Sequence, residues 1–184
     1  MLLITRPRRF GKTLSMNTFA AFLKLNENKP DDVSLQQQLF KGTEILKDRE
    51  FCQEFMGKFP VISITLKDLY GDSFEDAYRM FAHLVYSTAG KFAYLLKSSA
   101  LSAYEKRSLE KFLDEDYLCD ERNSQKLKTF LSTLSQLLQK HFKRQICLLI
   151  DEYDVPLAKA QYYGYHKKMV TLMSLFLGIL KNTS

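Results

Sequence analysis

Cysteine, histidine, proline and glycine are all scarce in this 184-residue chain, and no apolar run is long. The three cysteines, Cys52, Cys119 and Cys147, are odd in number and far apart, which leaves no disulfide framework and no zinc spacing between sequence neighbours. Such usage points to a reducing compartment. His83, His141 and His166 are equally scattered, so histidine and cysteine offer no metal-ligand pattern. Seven glycines and four prolines are too few for a disordered or fibrous chain. No stretch approaches the roughly 20 apolar residues that span a bilayer. Leu2 to Thr5, followed at once by arginines, is too short for the apolar core of a secretory signal. A cytoplasmic protein with no membrane partner is the expectation.

What is present suits one folded domain, or one domain with pieces missing: 46% of residues are apolar, enough to build a core. The balance of 27 basic over 21 acidic side chains gives a net charge of +6 and favours polyanionic partners. Nucleotide, nucleic acid and simple solubility all satisfy that balance, so other features must decide.

The first such feature is Arg6-Pro7-Arg8-Arg9-Phe10-Gly11-Lys12-Thr13, between the apolar run Leu2-Leu3-Ile4 and a helix-like stretch from Leu14 to Leu25. A loop that turns straight from strand into helix aims successive backbone N–H groups and the positive helix end into one concavity, where phosphate fits. Lysine and threonine at the last two positions suit phosphate and magnesium contacts. The full phosphate-loop pattern has glycine where this chain has Arg6. A basic turn before a helix is the competing interpretation.

Further on, Leu14, Thr18, Phe22 and Leu25, with Phe19 and Ala21, predict a helical stripe packed on a sheet and ending near Asn26. Residues 33 to 58 suggest short helices around Lys41-Gly42-Thr43. Val61 to Leu66, introduced by Pro60, reads as a strand rich in β-branched residues. Asp72-Ser73-Phe74-Glu75 reads as a capping box opening a helix to about Ala89 or on to Leu96, and Ser102 to Glu105 as a second box. The acidic stretch 114 to 123 reads as a solvated loop, because no regular spacing aims its carboxylates at one point. Leu127, Phe130, Leu131, Leu134, Leu137, Leu138 and His141 predict an amphipathic helix. A final helix over Tyr165 to Leu180 buries Met169, Leu172, Met173, Phe176 and Leu180.

Ile146 to Ile150 is a continuous apolar run, which belongs in a parallel sheet covered by helices on both faces, and it ends in Asp151-Glu152. Ligands of open α/β sheets bind at the carboxyl ends of strands. Two carboxylates there would share an edge with the phosphate loop, one to hold magnesium and one to polarise an attacking water. Lys67 and Asp68 leave the second strand at that same edge, as a turn with a local ion pair or as contributors to the site. Tyr153, Asp154 and Pro156 read as shaping the turn after the carboxylates.

Four stretches carry a family resemblance: Ile4 to Leu14, Phe59 to Ile62 with Lys67-Asp68, Leu101 to Glu105, and Ile150-Asp151-Glu152-Tyr153-Asp154-Val155-Pro156-Leu157. Together they resemble the bacterial AAA-ATPase-like proteins, which write their phosphate loop with Arg-Pro-Arg-Arg-Phe. The resemblance implies an α/β P-loop NTPase domain over residues 1–184 and ATP and Mg²⁺ as cofactors. Arg8, Arg9, Phe10, Gly11, Lys12, Thr13 and Leu14 would form the nucleotide-binding stretch. Thr13 and Asp151 would hold the metal, and Glu152 would be catalytic. It also implies elements not found in these residues: a segment before the first strand, a central sensor strand between the two motif strands, and a nuclease-like domain that could engage nucleic acid. A partial domain with an incomplete sheet is therefore expected. Besides an ATPase, two further functions stay open: a nucleotide-gated interaction module without significant hydrolysis, and a nucleic-acid-binding domain.

Overall fold

The computed structural model describes residues 11–178; the expected strand at Leu2 to Thr5, the arginines of the loop and Leu180 lie outside them. Helix α1 spans Lys12–Leu23. Short helices α2 (Ser34–Leu39) and α3 (Arg49–Phe55) flank a turn at Lys41-Gly42-Thr43. Strand β1 is Val61–Thr65, followed by the long helix α4 (Phe74–Gly90). Then come α5 (Ala103–Glu110), α6 (Glu115–Cys119) and α7 (Ser124–Phe142). Strand β2 (Cys147–Asp151), α8 (Val155–Tyr162) and α9 (His166–Phe176) complete the described chain. No described helix is long and apolar enough to cross a membrane.

The two strands pair in parallel, with Thr65 opposite Asp151 and Ile62 opposite Leu148. Alternation then divides the sheet into two faces. Ile62, Ile64, Leu148 and Ile150 point into the main core, where α4, α7 and α9 meet around Phe81, Leu134, Met169 and Phe176. Phe81 and Phe176 stand edge to face at 4.7 Å, the geometry that aromatic quadrupoles favour. Thr65 and Asp151 share the other face, against which α1 packs. The C-terminal end of α1 is fixed by the chain leading into β1: Leu25 N donates to Phe59 O at 2.9 Å, and Phe59 N to Leu23 O at 3.0 Å.

Several expectations are corrected here. Leu14 and Phe19 of α1 are exposed, and the burial of its apolar stripe falls to Phe22, with Leu25 beyond the helix end. Apolar residues surround this helix, so periodicity could not single out its packed side. Residues Cys147 to Ile150 of β2 are half-buried instead of fully enclosed, because among the described residues β2 pairs with β1 alone. The first helix cap is Ser73, not Asp72: its hydroxyl accepts from Asp76 N at 3.1 Å and donates to the Asp76 carboxylate. Helix α4 stops at Gly90, and Ala93–Lys97 forms a 3-10 turn. The acidic stretch contains α6, with Asp114 capping it through Tyr117 N and Glu115 bonded to His83. Pro156 opens α8, a helix not anticipated, since proline is tolerated in a first turn where no donor is needed.

Two loops hold these layers together. Gly71 lies so close to α4 that a β-carbon there would sit 2.5 Å from Asp76 Cβ, and the Tyr165 hydroxyl donates to Gly71 O at 2.8 Å. Arg144, after α7, donates to Asp31 at 2.6 Å and to Pro30 O at 3.1 Å.

The expected capping box at Ser102 and Glu105 is present, and Lys140 of α7 adds a salt bridge of 2.8 Å to the same glutamate. The Lys140 ammonium, helped by the Ser102 amide and hydroxyl, lowers the Glu105 carboxyl from the usual 4.5 to about 2. A carboxyl lowered on folding binds protons more weakly in the native state, so its stabilisation is complete above pH 4.5 and is lost as pH falls toward 2. Glu105→Gln, which keeps an acceptor but no charge, is expected to flatten the pH dependence of urea unfolding in that window; unchanged slopes would dissociate Glu105 from acid stability.

Candidate functional site

At the start of α1, Gly11 occupies the N-cap with φ 72 and ψ 22, in the left-handed region where glycine carries no steric penalty. Its carbonyl accepts from Ser15 N at 2.8 Å, which sets Lys12 and Thr13 on the first turn. Lys12 is half-buried, Thr13 is exposed, and the Leu14 side chain faces solvent. Arg8, Arg9 and Phe10 lie outside the described residues.

Thr13 and Asp151, 138 positions apart, meet directly: Thr13 Oγ1 donates to Asp151 Oδ2 at 2.6 Å. The other carboxylate oxygen, Oδ1, accepts from Glu152 N at 3.0 Å. Asp151 is 8% exposed, so both oxygens of a largely desolvated carboxylate are satisfied. Its position follows from the ladder, since Leu66 N donates to Asp151 O at 2.9 Å just past the paired register.

Glu152 has φ 55, a left-handed backbone that side-chain-bearing residues adopt at a cost of roughly 1–2 kcal/mol. Its carbonyl then accepts from Val155 N at 3.2 Å, turning the chain from β2 into α8. Strain of this kind concentrates where a side chain must be held at a particular place. Here it directs Glu152 into the cleft it shares with Asp151 and Thr13, a space of about 570 Å³. The cleft runs from α1 past Ser63, Ile64 and Thr65 of β1 to the second half of α4.

Ser63 and Thr65, which no motif singles out, line this cleft together with Lys67, which sits in the turn expected for it. The signal for the first two was present: Ser63 and Thr65 are the polar positions of an alternating strand. Lys67 forms no ion pair with Asp68, or with any other described carboxylate. Among the described residues no group of three or more His, Cys, Asp or Glu side chains converges as a metal site.

The arrangement defines a class of α/β domain in which the N-terminus of a helix faces the acidic end of a parallel strand. The family model described as predicted AAA-ATPase matches residues 1–184, and the chain belongs to this AAA-ATPase-like family. Membership implies use of a nucleotide, usually with Mg²⁺. Comparison with curated proteins finds no match, and comparison with solved structures finds none either.

Because glycine relieves left-handed strain, Glu152→Gly is expected to leave stability unchanged or raise it by up to about 1 kcal/mol, despite deleting a side chain. Urea denaturation measures this. A loss of more than about 1 kcal/mol would mean that the Glu152 side chain supports the fold rather than a function.

Proposed function

We propose that this chain is a P-loop domain that binds ATP with Mg²⁺ at the start of α1 and hydrolyses it. The observation that carries this reading is the 2.6 Å hydrogen bond from Thr13 to Asp151, which joins the two motifs across the sheet edge. The backbone N–H groups of the first turn and the Lys12 ammonium receive the phosphates, aided by the positive end of α1. Arg8, Arg9 and Phe10 belong to the same binding stretch.

The donor chemistry fits Mg²⁺. Thr13 and Asp151 offer a hydroxyl and a carboxylate oxygen, both hard ligands, and the scarcity of further protein ligands suits an ion that keeps waters and phosphate oxygens around it. When bound, the ion neutralises charge developing on the phosphate oxygens. Glu152 accepts a proton from a water that attacks the γ-phosphorus; the bond to the β–γ bridging oxygen breaks, and ADP and phosphate leave. Asp151, fixed at both oxygens, keeps its place while Glu152 acts.

The half-exposed β2 supports a further strand beside it in the complete sheet, as the domain reading requires. The nuclease-like domain and any nucleic-acid partner belong to this proposal on the strength of the resemblance alone.

Two substitutions separate binding from turnover. Lys12→Ala should abolish binding of a fluorescent ATP analogue in Mg²⁺, while Glu152→Gln should keep binding and lower phosphate release by at least about 100-fold. Parental binding in Lys12→Ala would remove the phosphate-loop assignment. Equal turnover in Glu152→Gln would clear the glutamate, and tight binding without turnover in the parent would favour the nucleotide-gated module.

A further inference from the structure

The cleft is lined by two described cations, Lys67 and Lys91, set against two carboxylates, Asp151 and Glu152. Like most described lysines, neither makes an ion pair with a described residue; what sets these two apart is that both line a cleft that also holds carboxylates. Lys91 follows α4 at the far wall. Lys67 instead leaves the sheet at the edge where the carboxylates stand.

Its placement follows from the strand. Ser63 and Thr65 lie on the same face of β1 and line the cleft, and the turn that follows the strand, closed by Leu69 N donating to Leu66 O at 3.1 Å, places Lys67 in the lining beside them. Thr65 is the register partner of Asp151, so this is the face on which Thr13 meets Asp151. Leu66, the residue before Lys67, bonds through its N–H to Asp151 O at 2.9 Å, which ties the exit of β1 to the acidic end of β2.

Electrostatics makes an unpaired lysine here informative. A terminal phosphate entering beside Asp151 and Glu152 meets two like charges, and a cation on the adjoining strand end offsets that repulsion. Lys67 is exposed, so its ammonium remains solvated and its four-carbon stem can reach an incoming anion without a burial cost. Burial is not needed to hold it charged.

We propose that Lys67 contacts the γ-phosphate of bound ATP and makes the site distinguish ATP from ADP. This rests on the nucleotide reading above and adds a residue to it. ADP lacks the group that Lys67 meets, so its contribution is confined to ATP.

The test is an equilibrium titration of the 184-residue chain with fluorescent ATP and ADP analogues in Mg²⁺, in the parent, Lys67→Ala and Lys67→Arg. The parent should prefer ATP. Lys67→Ala should lose roughly tenfold in ATP affinity, the size of one charge-assisted contact, with ADP affinity unchanged. Lys67→Arg should retain most of the preference. The unchanged ADP affinity reports an intact fold in the same experiment. A parental ATP-to-ADP ratio in Lys67→Ala, an equal loss for both nucleotides, or a parent without preference each overturns the assignment. A parent that binds neither nucleotide, or a Lys12→Ala variant that binds as the parent does, overturns the nucleotide reading itself.

Discussion

A short hydrogen bond between a hydroxyl at the head of one helix and a carboxylate at the end of one strand organises the polar side of this molecule. Thr13 and Asp151 can meet only if α1 begins above the C-terminal edge of the sheet. That requires the left-handed Gly11 before it and the pairing of Leu23 and Leu25 with Phe59 behind it. Asp151 in turn needs β2 locked in register with β1, and the left-handed Glu152 to leave the strand at once. The left-handed residues are local constraints and the two strand pairings are long-range, and all of them concern backbone geometry more than side-chain bulk.

The opposite face supplies the stability that such a site consumes. Helices α4, α7 and α9 close over Ile62, Ile64, Leu148 and Ile150, with Phe81, Val85, Leu131, Leu134, Met169 and Phe176 buried among them. Their burial leaves the α1 face free to carry hydroxyls, carboxylates and an unpaired lysine. This division of labour between two faces of one parallel sheet lets a strained Glu152 persist, because the cost of one left-handed residue is small beside a core of this size.

Legibility of the sequence varied with the range of the interaction that decides each feature. Strand β1, helix α7 and the Ser102 box rest on local periodicity or on contacts within one turn, and they appear where expected. The cap of α4 is Ser73 where the sequence offers Asp72 and Ser73 as adjacent acceptors, a choice of one position that composition alone does not make. Helix α8 is not legible locally because Pro156 suits a turn after the carboxylates, and the same rigid φ also starts a helix. For the site, Gly-Lys-Thr and Asp-Glu are visible in the sequence as short motifs, and the structure brings Thr13 of the first against Asp151 of the second. The alternation of Ser63 and Thr65 is legible locally, but their place beside the carboxylates lies in the register with Asp151, which no local pattern encodes.

The central claim is that Thr13 and Asp151 act as one unit in holding a metal-bound nucleotide. A double-mutant cycle on ATP affinity, measured with and without Mg²⁺ in Thr13→Ala, Asp151→Asn and the double variant, tests it most directly. The account predicts that each single change removes most of the Mg²⁺-dependent affinity and that the second adds little, a coupling well above about 0.5 kcal/mol. Independent, additive losses, or an affinity that Mg²⁺ does not alter in the parent, would contradict it.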